Sequence, residues 1–384
     1  MTIIQIKRGN IISLNNEIEQ FLINKGALRV GFATQTTLYG GPPSVDITYS
    51  LSEAQSAICF ALPLDKKKIR KFLRKDLPDG CKDHELDNIA TNIKAYKMAI
   101  STSKMLQEKG YQAAAVFPNF KYREEMPGWE LKMYPELSLK YIAARSGVGS
   151  IGWSGNIGIK GYGTAIILGC LVTSANLEPT DPVPEEESFC TKCKLCQKAC
   201  ALRMFDDENT ESITLGGYTF NFSKRRNLAR CQVVCGGLTG LEKDGNWSTW
   251  SPGRHPYPET DKEVIRLLSL AVTNAMKWPE NYIHGQYDTS KLVKDEDLMN
   301  ALGDQKDKII KMIKETRLTC GNCQLICWGE PKETKKNYNI LINSGCVIQR
   351  EDGGIEVLPA EQAAEVFDQF PSKHKRKYRR NYKK

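Results

Sequence analysis

The sequence predicts an α/β domain followed by a cysteine-rich module that the chain delivers in two pieces. Short apolar runs alternate with helical periodicities over about the first 180 residues, the pattern of a layered α/β unit. The cysteines, 13 in all, then concentrate in three groups beyond residue 189. No run approaches the roughly 20 apolar residues that a membrane-spanning helix needs.

In chain order, a helix is expected over Leu14 to Lys25 and a short strand over Ala27 to Ala33. Ala57 to Pro63 is an apolar run typical of a buried strand. Lys66 to Lys75 holds seven basic residues with Ile69, Phe72 and Leu73 between them, the spacing of an amphipathic helix with a solvated outer face. Asp87 to Lys109 repeats apolar residues at helical spacing and is ended by Gly110. Gln112 to Phe117 is strand-like, Pro135 to Arg145 reads as a helix with Pro in its first turn, and Gly163 to Ala175 as another buried strand. Asn176 to Glu187, rich in Pro and Glu, reads as a linker. Residues 241–318 form an insertion with helices expected at Asp261 to Trp278 and Asp304 to Thr316, and a last short helix is expected near Ala360 to Phe370.

With 384 residues, 41% hydrophobic and 26% charged, the chain has the composition of a soluble globular protein. Its start, MTIIQIKRGNIISLNN, shows neither a signal peptide nor a twin-arginine pattern, so a cytoplasmic location is expected. In that setting so many cysteines point to metal rather than disulfides. Cys59 and Cys170 lie inside apolar runs and read as core thiols. The net charge of +9 comes mostly from eight Lys or Arg in residues 373–384. That tail reads as a solvated end. Its sharper reading is an arm for a polyanion such as tRNA, with Tyr378 and Tyr382 able to stack on bases.

Cys190, Cys193, Cys196 and Cys200 have the C-x2-C-x2-C-x3-C spacing of bacterial-type ferredoxin segments. In such segments three thiolates hold one 4Fe–4S cube and the fourth serves a second. Zinc needs only two cysteine pairs and does not predict the last offset. Ala201 stands where a proline usually follows. Cys320, Cys323 and Cys327 form a matching half-motif. Counting gives Cys190, Cys193, Cys196 and Cys327 for cluster 1, and Cys200, Cys320 and Cys323 for cluster 2. The missing ligand is Cys231, with Cys235 as its alternative and Cys346 a weaker candidate.

Seven glycines fall between Gly147 and Gly163, a run that permits close backbone approach to a large flat or anionic ligand. They follow a helix rather than a first strand, which argues against a dinucleotide fingerprint. Taken with the cysteines, the glycine segment, the apolar strand Ile166 to Thr173, the acidic linker and Ala229-Arg230-Cys231 resemble epoxyqueuosine reductases and reductive dehalogenases. The similarity spans about residues 50 to 240 and 318 to 330.

The resemblance implies a nitroreductase-like domain over 1–180 that binds a cobalamin-type corrinoid. A split two-cluster ferredoxin module would follow at 181–240 and 319–346, interrupted by the helical insertion 241–318 and ended by a segment 347–384. It also implies corrinoid contacts from Gly147, Gly149, Gly152, Trp153, Gly155, Asn156, Gly161 and Gly163, and no histidine ligand to cobalt. The chain departs from the epoxyqueuosine reductases in one respect: residues 120–135 contain no Asp to match their proton donor. Tyr122, Tyr134 and Glu136 are the candidates to replace it, with Glu130 beside them. The expected activity is a corrinoid-dependent reduction fed by a donor such as ferredoxin or flavodoxin. A redox partner that reactivates another protein's corrinoid is the alternative, and a plain two-cluster electron carrier the simplest one.

Overall fold

A computed structural model describes residues 13–118, 121–129, 134–226, 228–235, 237–275, 287–315 and 318–378. Its centre is a four-stranded sheet formed by Arg29–Thr34, Ser56–Pro63, Ile166–Thr173 and Ala113–Val116 in that spatial order. Every neighbouring pair is antiparallel, although helices lie between the strands in sequence. The two central strands are buried on both faces, so side-chain alternation assigns each residue to one of two cores. Ile58, Phe60 and Leu62 pack with the long helix Gly80–Glu108 through Ala95, Met98, Ala99 and Leu106. Ala57, Cys59 and Ala61 face the opposite way, toward Leu139, Ile142 and Ala143 of the helix Leu139–Arg145. Small residues on this second face let that short helix sit close to the sheet. Cys59 lies directly across from Cys170 in the register, and both are fully buried free thiols, as expected for core residues.

The basic helix Lys66–Arg74 buries Ile69, Phe72 and Leu73 and keeps most of its charges outward. Asp65 caps it by accepting from the amides of Lys67 and Lys68. Trp250, 1% exposed, fixes it from below by donating its indole N–H to the Phe72 carbonyl at 2.9 Å.

Several expectations need correction. The helix expected from Pro135 begins only at Leu139. Pro135 bridges Tyr122, and the amides of Glu136 and Ser138 are bonded to the carbonyls of Lys121 and Ser44, so this stretch cannot wind into a turn. The linker is pinned rather than loose: Thr180 Oγ1 accepts from the Phe32 amide and donates to Ser146 O. A long exposed hairpin, Phe205–Leu215 with Tyr218–Arg225, was not anticipated. Gly216 and Gly217 close it, both at positive φ (52° and 85°), which is what a tight two-residue turn demands. The tail is not wholly solvated: Ser372–Tyr378 is helical, and His374 is buried with Nε2 2.8 Å from Gln349 O.

Within the insertion, Asp261–Ala275 and Lys306–Glu315 are helical, and Glu296–Leu302 adds a helix that was not foreseen. Residues 276–278 and Thr316 lie outside the described residues. Leu298, Leu302, Ile309 and Ile313 form a third apolar cluster with Ile89, Ile93, Tyr96 and Ile100 of the long helix. The two pieces of chain beyond the insertion end in a hairpin, Cys346–Gln349 with Ile355–Leu358, covered by Ala360–Gln369. Among the described residues no helix is long and apolar enough to cross a membrane.

Candidate metal centre and adjoining cavities

Two groups of thiols meet where the short helices Leu195–Lys198 and Asn322–Leu325 pack together. In the first, Cys190, Cys193, Cys196 and Cys327 line one small cavity with Trp153 and Thr334. Lys192 and Lys194 take the left-handed conformation, φ 55° and 59°, which turns the chain around the cavity between successive cysteines. The Trp153 amide donates to Cys190 Sγ at 3.2 Å. Burial raises the Cys196 thiol far above its ordinary value, and Cys323, Cys327, Cys190 and Cys193 add to the effect.

The second group joins Cys200, Cys320 and Cys323 to the helix Ala229–Cys235. Burial pushes the Cys200 thiol up to about 12, with further contributions from Cys323 and Cys231, while the Met204 amide donates to its sulfur at 3.3 Å. Cys320 is raised by burial and by Cys231, Cys323 and Cys200. Cys231 moves the other way. A hydrogen bond shared with Cys235, Sγ to Sγ 3.8 Å, favours its thiolate and draws it down. Both cysteines of that helix therefore reach the group. Cys346 sits elsewhere, among Arg254, Lys75 and Glu242.

These donors fit iron–sulfur cubes in kind and number: four thiols in the first group and five in the second, one more than a cube needs, with N–H groups aimed at sulfur. Among the described residues, no three His, Cys, Asp or Glu side chains are gathered as a single metal ion requires.

Two further cavities are present, of which the first lies beside the thiols. The first, about 510 Å³, opens between the sheet domain and the cysteine segments, and Lys140, Asn156, Thr164, Leu168, Arg225 and Gln324 are among its walls. Asn156 also donates from Nδ2 to Cys323 Sγ at 3.8 Å, linking the cavity wall to the second thiol group. Gln324 Nε2 donates to Ile166 O at 3.1 Å, which ties the cysteine helix to the central sheet. Lys140 retains some accessible surface yet is enclosed by protein on most sides. Desolvation, with Arg225 beside it, draws its ammonium down to about 7. Arg225 donates from Nη2 to Ser154 O at 2.7 Å, and its Nε has no hydrogen-bond partner.

The second cavity, about 540 Å³, continues past the strip 117–118 and 135–137 toward the insertion. Tyr49, Tyr96, Phe117 and Tyr122 supply aromatic walls, and Ile309 closes it from the insertion side. Glu136 lines it too and accepts from Ser50 Oγ at 3.0 Å. Burial raises the Tyr122 phenol above its usual value, which keeps it protonated. The structure thus brings Tyr122 and Glu136 together. It leaves Tyr134 at the edge, where its carbonyl accepts from the Arg123 amide. Glu130 lies outside the described residues.

The glycine run also packs closely within the protein. A Cβ at Gly152 would meet the Phe189 ring at 2.6 Å, and one at Gly163 would meet Cys327 O at 2.2 Å. Gly147 and Gly149 likewise abut the carbonyls of Asp181 and Gly158, and Gly155 abuts Phe222 and Arg225. A Cβ at Gly161 would meet nothing within 4 Å. Of the eight residues expected at a corrinoid, Asn156 lines the 510 Å³ cavity and Trp153 the thiol cavity. Lys140 and Arg225 were missed by sequence reasoning. The Gly216-Gly217 turn that brings Arg225 back to the cavity was the available signal.

No family model matches the chain, and no curated protein matches it in sequence. Among solved structures it is similar to an epoxyqueuosine reductase in complex with an epoxyqueuosine-modified tRNA-Tyr stem loop. The identity is 16%, the TM-score 0.39, and the match covers 85% of this chain and 98% of that one. The epoxyqueuosine reductase of Streptococcus thermophilus is 15% identical with a TM-score of 0.38, over 87% of this chain and 82% of that one. A reductive dehalogenase described as B12-dependent gives 14% and 0.41, over 81% of this chain but 39% of its own.

Proposed function

We propose that this chain is an iron–sulfur oxidoreductase that passes electrons through two 4Fe–4S clusters to a cobalamin-type corrinoid, for reduction of a small electrophile or a modified tRNA nucleoside. Cluster 1 takes Cys190, Cys193, Cys196 and Cys327; cluster 2 takes Cys200, Cys231, Cys320 and Cys323. The observation that carries the reading is the meeting of thiols from three distant segments in two adjoining groups beside the Asn156 cavity. The charge of Cys323, in the second group, bears on the ionisation of Cys196 in the first, which supports reading the two groups as neighbours.

When bound, a corrinoid supplies strongly nucleophilic low-valent cobalt chemistry. The chain's own residues do the rest. Asn156 joins the thiol group to the cavity, and Lys140 and Arg225 offer positive charge and N–H donors to anionic or carbonyl groups along its wall. Tyr122, held protonated by its surroundings, is the candidate to supply a proton in the neighbouring cavity, which Glu136 also lines; Tyr134 is the further candidate. The basic tail gives a modified tRNA its phosphate contact.

Anaerobic reconstitution with iron, sulfide and cobalamin tests the reading. About eight irons and about one cobalt per chain are expected after desalting, with reduced-cluster EPR signals. Iron without retained cobalt would leave only an electron carrier or a redox partner. Absence of iron would remove the reading altogether.

A further inference from the structure

The first thiol group has a face to solvent, and the charge around that face is organised. Cys193 alone among the nine grouped cysteines is exposed, and Lys194 and Lys198 are exposed beside it. Pro331 and Thr334, from the start of the helix Pro331–Ile342, line the same cavity as Cys193. Lys332, Lys335 and Lys336 of that helix, with Asn339 and Ile340, line an open groove of about 510 Å³.

None of these three lysines has an ion-pair partner among the described residues. The neighbouring basic helix is different: Lys68, Lys71 and Arg74 are each paired with an aspartate, and Arg70 with Glu333. Opposing charge near the opening comes from Glu330 and from Glu185–Glu187, of which Glu185 pairs with Lys192. Unpaired positive charge therefore gathers on the Pro331–Ile342 side.

We propose that the groove over Lys332, Lys335 and Lys336 is the docking surface for a small acidic one-electron carrier protein of the ferredoxin or flavodoxin class, delivering electrons at Cys193. The inference rests on the cluster reading above. One electron leaves the reduced carrier, which returns to its oxidised form, and enters the centre held by Cys190, Cys193, Cys196 and Cys327; no bond breaks and no proton moves. An acidic protein fits better than RNA because the helix that carries these lysines also lines the cavity of the exposed thiol through Pro331 and Thr334, where a partner gains by bringing electrons. Asn339 and Ile340 also give it an uncharged contact between the lysines. Rim charges of this kind set association rates and salt dependence more than final affinity.

The test compares the reconstituted wild-type protein with the Lys332→Glu/Lys335→Glu/Lys336→Glu variant and the milder triple Gln variant. A reduced acidic 2Fe–2S ferredoxin is the donor, and dithionite the small-molecule control. The Glu variant should lose at least about tenfold in second-order reduction rate at low salt and the Gln variant less, with dithionite rates unchanged. Wild-type rates should fall with added salt, and the variants' less steeply. Calorimetric binding of oxidised ferredoxin, which needs no cluster in this chain, should weaken in the same order. Equal ferredoxin rates and binding in all three proteins would overturn the docking surface. So would variants that lose affinity for a tRNA stem loop while keeping the ferredoxin's. Iron assays on the same samples report separately on the cluster reading.

Discussion

His84 sits on the long helix against the edge of Phe72, ring centroids 4.8 Å apart, and its Nδ1 has no hydrogen-bond partner. Burial, opposed only in part by Asp87 and Glu85, draws its pKa down to about 4. The folded state thus binds fewer protons than the unfolded chain between about pH 4 and 6.5. Stability is greatest above that window and is lost as pH falls through it, by at most about 3 kcal/mol. Replacing His84 with Leu should flatten that part of the stability curve, measured by urea unfolding at pH 7, 5.5 and 4.5. Parallel curves for both proteins would show that the imidazole does not titrate as described. Gly163 carries a different constraint. With φ +60° and Cys327 O 2.2 Å from any added Cβ, Gly163→Ala should cost cluster 1 about half of the chain's iron while circular dichroism stays unchanged. Retained iron would mean the contact can relax. The glycine run was legible as a place of close approach. That its partner is mostly the protein's own backbone was not, because the sequence does not say which distant segment returns.

At the scale of elements, the helix Ala229–Cys235 carries both candidates for the last thiolate of the second group. Cys231 and Cys235 lie four residues apart, on one helical face, so both reach the second thiol group. Cys231 is the one whose thiolate is favoured and whose charge bears on Cys200, Cys320 and Cys323. Cys231→Ser should therefore lower iron by about four per chain and abolish one EPR signal, whereas Cys235→Ser should keep the iron and shift that cluster's potential. The reverse result would exchange their roles. Elements with strong periodicity or unbroken apolar runs were readable: the helix Leu14–Asn24, the strand Ser56–Pro63 and the basic helix all fall within a few residues of expectation. The hairpin Phe205–Leu215/Tyr218–Arg225 was missed because most of its first strand is polar and exposed. The alternation of Tyr218, Phe220 and Phe222 and the Gly-Gly turn before them spoke for it.

Over the whole molecule, the insertion proves to be part of the second cavity as well as an interruption between cysteine groups. Its helices are fastened along the long helix by the Tyr96 hydroxyl on Ala301 O at 3.2 Å and by the pairs Lys97–Asp295 and Lys104–Asp297. Ile309, 2% exposed, packs in that interface and also faces the cavity that holds Tyr122 and Glu136. The sequence showed helices here but could not show where they dock, since the partner surface lies some 200 residues earlier in the chain and reads simply as one amphipathic helix. The thiols lie beside the Asn156 cavity, whereas Tyr122, Glu136 and the insertion line the other. Ile309→Ala should consequently weaken the insertion's docking by about 2–4 kcal/mol, the usual cost of such a truncation. Hydrogen exchange over 296–315 should accelerate, and the KM for a reducible substrate should rise, while iron content and the rate of reduction by dithionite stay at wild-type values. If iron is lost together with the docking, the insertion supports the clusters themselves, and the 540 Å³ cavity is a by-product of packing rather than a place for substrate.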